Sequence, residues 1–259
     1  MRITTWNVNG LRAAVRKGVA AQIARINPDV LLLQEVRAMP DQLTDNWHEN
    51  GLDSWSFAWN PAEKPGYAGT ALFSRDKHKE VKIGVESSAG DPEGRLVIAR
   101  VGPVRVASVY LPSGSSGDHR QIEKEKWMKK FAPWAEALRK SRIPTILGGD
   151  FNIARTELDI FHAKSNEKSS GFLPHERAWM DTLVGSGWAD IIRERAGEVH
   201  GPYTWWSNRG RARELDRGWR IDYVLANPAA AKIVRDAHVD RDASLTISDH
   251  APVSVDLDI

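Results

Sequence analysis

The chain predicts a mixed, layered α/β domain. Two observations carry this expectation. Short apolar runs of strand length, bounded by Gly, Pro, Asn and Asp, outnumber the stretches with helical spacing. They also alternate with those stretches only partly, which disfavours a simple doubly wound sheet. A third observation bounds the organisation. The chain has 259 residues, 41% of them hydrophobic, and no Ser/Gly-rich linker, repeat or low-complexity tract. That suits a single domain spanning 1–259.

Residues 3–8 read as a first strand. Residues 30–33, Val-Leu-Leu-Leu, read as a second, apolar throughout and therefore buried. Between them, 11–26 carries helical spacing and is closed by Asn27-Pro28. Further strands are predicted at 54–59, 70–74, 81–85, 96–101 and 104–111. Pro65-Gly66, Asp91-Pro92-Glu93-Gly94 and Gly102-Pro103 punctuate them, and the short gap at Gly102-Pro103 predicts a hairpin. Trp127, Phe131, Trp134, Ala135 and Leu138 fall on one helical face. Pro133 lacks an amide hydrogen, so a kink or the start of a second helix is expected there. Residues 145–149, 221–225 and 252 onward complete the strands. Residues 112–118 form a short loop and 165–174 a longer polar one.

Composition excludes several function classes. There is no cysteine, so no disulfide and no thiolate metal site; this fits a cytoplasmic protein. No 18-residue apolar run predicts a membrane span, and the first residues lack the regions of a signal peptide. No GxGxxG, GxxxxGK[ST] or GxSxG pattern occurs. The net charge of +2 points only weakly to a polyanion. Distribution says more. Arg209, Arg211, Arg213, Arg217 and Arg220 cluster beside Trp205, Trp206 and Trp219. Such a cluster is either a solvated loop or a surface that grips phosphates and stacks on bases.

The chemically capable residues gather at predicted strand ends, where loops on a rigid sheet present reactive groups. Asn7 and Asn9 follow the first strand, and Glu35 the second. Tyr110 closes the strand at 104–111. Asp150 and Asn152 follow the one at 145–149, Asp222 opens its strand, and Asp249-His250 precedes the last. One acid at a strand end is usually a turn former, and His250 alone could cap a loop. Six such ends together predict a shared site. Without HxH, HExxH or cysteine, zinc is disfavoured, and oxygen ligands favour Mg²⁺ or Mn²⁺. Glu35, at the edge of an apolar strand, is the first choice as metal ligand. His250 can present a charge or an N–H to a phosphate oxygen, oriented by Asp222 or Asp249. Asp150 and Asn152, two apart in extended chain, would share one face and could hold and deprotonate a water. Tyr110 could donate to the phosphate or to the leaving oxygen.

Together these residues resemble an exonuclease III-type AP endonuclease of the endonuclease/exonuclease/phosphatase superfamily, nearly end to end. Trp6-Asn7-Val8-Asn9-Gly10, Gln34-Glu35, Gly149-Asp150-Phe151-Asn152, Ile221-Asp222-Tyr223 and Ser248-Asp249-His250 match the superfamily. Narrower to the DNA-repair branch are Gly66-Tyr67-Ala68-Gly69, Glu93-Gly94-Arg95, residues 170–177, Tyr203-Thr204-Trp205-Trp206 and Gly218-Trp219-Arg220-Ile221-Asp222. The resemblance implies a four-layer α/β sandwich, two packed mixed β-sheets flanked by helices. It implies Mg²⁺-dependent incision of duplex DNA 5′ to abasic sites, leaving a 3′-hydroxyl, and extends to 3′-phosphate removal and 3′→5′ exonuclease action. It assigns catalysis to Tyr110, Asp150, Asn152, Asp222 and His250, with Asp222 orienting His250. It places Glu35, Asn7 and Asp249 with the metal. It gives Trp205, Trp219 and Ile221 the apolar pocket for a flipped-out sugar, with Ser113 and Arg95 also on the substrate. Partners implied are double-stranded DNA with abasic sites or 3′-blocked ends, no membrane, and a monomeric enzyme associated with the nucleoid.

Two departures stand out. Asn9 replaces an Asp of some members, removing an acid near the metal. Ser113 replaces an Asn that faces the phosphate in some members. The loop 113–117 also lacks an Arg that some members insert into DNA, so weaker product retention is expected. Two other readings share the core motifs: a phosphoinositide or sphingolipid phosphodiesterase, and a non-catalytic DNA-binding scaffold. The pocket motif and the 170–174 segment argue against the first, and the full set of acids against the second.

Overall fold

In the computed structural model, which describes residues 1–43, 52–86, 90–244 and 246–259, twelve strands pair into two six-stranded sheets. The first sheet takes β1 (Arg2–Asn7), β2 (Val30–Gln34), β3 (Ser56–Asn60), β4 (Thr70–Ser74), β11 (Val234–Val239) and β12 (Val253–Leu257), in the order β11-β12-β1-β2-β4-β3. The second takes β5 (His78–Ile83), β6 (Leu96–Val101), β7 (Val104–Tyr110), β8 (Thr145–Asp150), β9 (Ala189–Asp190) and β10 (Asp222–Ala226), in the order β5-β6-β7-β8-β10-β9. Each sheet has one parallel pair at its centre, β1/β2 and β7/β8, with antiparallel neighbours outward.

The apolar pattern explains the layering. Ile3, Val30, Leu32 and Leu72 of one sheet bury against Val104, Val106, Ile146 and Val224 of the other. Gly148 permits the closest approach, since a Cβ there would lie 2.8 Å from the Leu32 side chain. The outer face of the first sheet, with Leu31, Leu33 and Phe73, is covered by α1 (Leu11–Arg16) and α2 (Val19–Ile26). The outer face of the second, with Leu96, Leu147 and Leu225, is covered by α3 (Asp118–Arg139) and α4 (Pro174–Gly185). The result is the four-layer sandwich. A fifth helix, α5 (Ile191–Ala196), follows β9.

Three local expectations need correction. The helical stretch 11–26 is two helices, because Gly18 adopts φ +86°, outside helical space. Of the two outcomes expected at Pro133, the start of a second helix does not occur, since α3 runs through it. Pro133 and Lys129 both lie on the exposed face, so the carbonyl that loses its partner is open to solvent. The strand expected at 81–85 is β5, three residues earlier and on an edge, so burial does not pin its register. Strands β9 and β11 carry no alternating signal and were not expected.

Candidate active site

The pairing pattern brings the strand-end candidates to one edge of the sandwich. Asn7 ends β1, Glu35 follows β2, Tyr110 ends β7 and Asp150 ends β8, all at the C-terminal ends of the two central parallel pairs. Asp222 opens β10 directly opposite Asp150, and His250 arrives just before β12, which is antiparallel to β1. Two parallel pairs with antiparallel neighbours therefore converge six chain segments on one cleft of about 560 Å³.

The centre is a hydrogen-bonded set. His250 Nδ1 lies 2.8 Å from an Asp222 oxygen, and Nε2 lies 3.8 Å from Asp150. Trp6 Nε1 donates to the His250 carbonyl at 3.0 Å, and Ser248 Oγ accepts from the His250 amide. Thr204 Oγ1 accepts from the amides of Ile221 and Asp222, fixing the start of β10. Burial alone would lower the His250 pKa; Asp222 and Asp150 outweigh it and raise it to about 10. The imidazole is thus a cation at neutral pH. Asp150 is 1% exposed. Its burial, with Asp222 and Glu35 close by and only partly offset by His250, raises its pKa to about 7.

Asp150 and Asn152 come together, but not through extended chain. Asn152 adopts φ +50°, and the turn folds its amide back onto Asp150 Oδ1 at 2.8 Å. Its side-chain nitrogen donates to Asp150 Oδ2 at 3.2 Å and to the Leu111 carbonyl at 2.9 Å. Asn tolerates this left-handed conformation better than most residues.

Glu35, Asn7 and Tyr110 form the adjoining corner. Glu35 Oε1 accepts from Asn7 Nδ2 at 3.0 Å and from the Tyr110 hydroxyl at 2.8 Å. Asn7 Nδ2 also donates to Asp150 at 2.9 Å, so one amide spans two carboxylates. Burial, then Glu35, holds the Tyr110 pKa well above its usual value, and the phenol keeps its proton. Arg37 pairs with the other Glu35 oxygen, an interaction not anticipated although Arg37 stands only two residues on.

This donor set fits a hard divalent cation. Glu35 and Asp150 face a common point with only a neutral amide between them, and Asp222 Oδ1 is buried without a partner among the described residues. Asp150, Asp222 and His250 also bring possible ligand atoms within 4.8 Å of one another. Within that trio His250 Nδ1 is already bonded to Asp222, whereas Glu35 and Asp150 offer carboxylate oxygens that a cation could take. Asp249, expected beside the metal, has one oxygen on Asn9 at 2.8 Å and the other on Trp205 Nε1 at 3.0 Å. It reaches Asn7 indirectly, through Asn9, whose amide donates to Asn7 Oδ1, and through Ser248, whose hydroxyl donates to the Asn7 carbonyl. Burial would raise the Asp249 pKa; the neighbouring His250 cation and those bonds outweigh it and lower it. An Asp in place of Asn9 would set carboxylate against carboxylate here.

One wall of the cleft is apolar. Trp205, Trp219 and Ile221 line it, with the two indoles edge-to-face at 6.1 Å. Isolated bridges join Trp205 to both Trp219 and His250, tying this wall to the histidine at the centre of the set. Ser169, Ser170 and Gly171 also line the cleft, with Gly171 packed against the Trp219 ring. Ser113 lines the mouth but shares its hydroxyl with Ser115 at 2.9 Å.

Two basic residues are misplaced by the sequence reading. Arg95, expected on the substrate, is 2% exposed and lies behind Tyr110, its guanidinium 4.4 Å from that ring. It pairs with Glu93 and donates to the Tyr67 hydroxyl, so it supports Tyr110 from the rear. Arg220 is fully buried among Asp159 and Asp190 and cannot grip a phosphate. It anchors the segment between Trp219 and Asp222. Both acidic partners lie far along the chain, beyond the reach of a local pattern.

Residues 4–250 match the Endonuclease/Exonuclease/phosphatase family. The chain is 32% identical over 260 residues to an exodeoxyribonuclease of Bacillus subtilis, covering 100% of both. It is 28% identical over 261 residues to a DNA-(apurinic or apyrimidinic site) endonuclease of Dictyostelium discoideum, covering 100% of this chain and 71% of that one. Among solved structures, a 3′ phosphatase from Neisseria bound to a product DNA hairpin superposes with a TM-score of 0.88 at 30% identity over 100% of both chains. With its fold, its converged strand ends and these relatives, the chain belongs to the endonuclease/exonuclease/phosphatase family, in the exonuclease III-type AP endonuclease branch.

Proposed function

We propose that this protein is a DNA-repair phosphodiesterase that incises duplex DNA 5′ to abasic sites by Mg²⁺-dependent hydrolysis, leaving a 3′-hydroxyl. The observation that carries the reading is a coincidence in space. A buried acid able to take a proton near neutral pH lies against a histidine cation, in the same cleft as an apolar wall. A baseless deoxyribose offers little to hydrogen-bond, so apolar shape selects it, and a site without stacking is cheap to extrude.

In this reading Asp150, held by Asn152, takes the proton of an attacking water. The water oxygen bonds to phosphorus as the bond to the 3′-oxygen breaks, and the departing oxygen takes a proton from solvent to become the 3′-hydroxyl. His250, kept charged by Asp222, stabilises the non-bridging oxygens, and Tyr110 donates a further hydrogen bond. Glu35 and Asn7 would hold the divalent cation, Mg²⁺ or Mn²⁺, which when bound offsets charge on the phosphate and the leaving oxygen. Trp205, Trp219 and Ile221 receive the sugar; Ser113 reaches the backbone at the cleft mouth. Residues 1–259 act as one catalytic domain, monomeric, on cytoplasmic, nucleoid-associated DNA. The relatives named exodeoxyribonuclease and 3′ phosphatase support action on 3′-blocked ends as well.

The test is a duplex carrying one abasic site, incubated with Mg²⁺ or with a chelator. Incision to a polymerase-extendable 3′ end only with the metal is expected; no incision with Mg²⁺ overturns the reading. Parallel arms with a 3′-phosphate duplex and with phosphoinositide or sphingolipid substrates separate the neighbouring activities.

A further inference from the structure

We infer that the buried pair Lys124–Glu176, behind the cleft, is a positioning device that sets the cleft wall and the Asn152 turn relative to each other. The inference rests on the nuclease reading of the cleft. Lys124 from α3 and Glu176 from α4 are both 0% exposed, with Nζ 2.6 Å from Glu176 Oε1. Lys124 also donates to the Asn152 carbonyl at 2.9 Å. The other Glu176 oxygen accepts from the amides of Gly171 at 2.6 Å and Leu173 at 3.1 Å. Gln121 completes the set, donating to Glu176 at 3.1 Å and accepting from Ser170 Oγ at 2.8 Å. One carboxylate thus gathers the wall segment 170–173, and the lysine that neutralises it holds the peptide of the residue folded onto Asp150.

The tolerances at this junction are tight. Gly171 adopts φ +92°, and a Cβ there would lie 3.0 Å from the Asn152 carbonyl and 3.2 Å from the Trp219 ring. The Gly171 carbonyl in turn accepts from the Ala154 amide at 2.8 Å. Wall, water-holding turn and sugar pocket therefore meet at Gly171, and the pair fixes two of the three. Fold alone does not require charge here, since a buried ion pair gives little or no stability over well-packed apolar residues of the same volume. The carboxylate matters because it takes two amides and one ammonium at once, which no apolar side chain can do.

The double exchange Lys124→Met with Glu176→Leu leaves no unpaired charge and tests the inference. On the abasic duplex, kcat is expected to fall by about tenfold or more while KM changes by less than about threefold, because the pair aligns the reacting groups and touches no phosphate. Removal of 3′ ends should fall in parallel, since it uses the same Asn152. A second double variant, Lys124→Met with Glu176→Gln, keeps an acceptor for the two amides and should recover most of the lost kcat. A folded Met/Leu variant with parental kcat overturns the inference, as does a loss confined to KM or a Met/Gln variant no better than the Met/Leu one. Should the double variants not fold, Gln121→Leu breaks the links to Ser170 and to Glu176 while leaving both charges in place. It should lower kcat by about threefold at constant KM, and an unchanged kcat in the folded protein overturns the inference. Failure of the nuclease reading shows separately, as a parental protein that leaves the abasic duplex intact.

Discussion

Asp150 and His250 carry opposite protonation demands, and the cleft meets both by placing them together. In the proposed mechanism the rate needs Asp150 ionised and His250 charged. With values of about 7 and about 10, kcat/KM is expected to rise as pH passes 7 and fall as it passes 10. A pH–rate profile at fixed Mg²⁺ checks this, and a flat profile across both values would remove the assignment. Asp150→Asn and His250→Ala should each lower kcat by about 10²- to 10⁴-fold, because both act on the transition state. Single-turnover rates on the abasic duplex measure this. Much of this was legible, since six strand ends carrying polar or acidic groups are more than turns alone require. That Asp222 and not Asp249 orients His250 was legible only through the family resemblance, because both are acids near the histidine. The positions of Arg95 and Arg220 were not legible. A cation beside aromatics reads the same whether it faces DNA or a buried carboxylate.

At the scale of elements, strands were clearest where both faces are buried, as at β2, β4 and β6. The polar edge strands β9 and β11 gave no alternation to read. Gly18 and Pro133 were each visible, yet their effects depended on what surrounds them. The segment from Trp219 to Asp222 supplies both part of the cleft's apolar wall and the carboxylate bonded to His250. Trp219→Ala should chiefly reduce the preference for abasic over intact duplex. Competition between the two substrates measures it, and equal losses on both would refute the pocket. The loop 113–117 has a different duty. Ser116 is exposed and lacks the side chain to enter DNA. Ser116→Arg should slow product release in pre-steady-state bursts; faster release would count against the loop as a DNA contact.

At the scale of the molecule, spacing and composition gave a layered α/β class but no strand order. Order is set by pairings between residues as distant as Arg2 and Asp256, which no local pattern encodes. The resemblance supplied the two-sheet arrangement instead. A net charge of +2 also conceals a local bias, since Arg209, Arg211, Arg213 and Arg217 follow the pocket's Trp205 within a dozen residues. Affinity for duplex should therefore fall linearly with salt on a log–log plot, with a slope set by the number of phosphates engaged. A titration between low and physiological salt measures this slope, and salt-independent affinity would contradict phosphate contact.

Strand β12 lies inside the first sheet, between β11 and β1, and the residues just before it supply Asp249 and His250. A polypeptide leaves the ribosome from its N-terminus, so β1 must wait unpaired on that side until translation has nearly reached the end of this sequence. A nascent chain that already displays Glu35, Asp150 and Asp222 still lacks His250, the side chain that lies against both aspartates. Assembly of the cleft is therefore tied to the making of β12, the last of the six segments that converge on it.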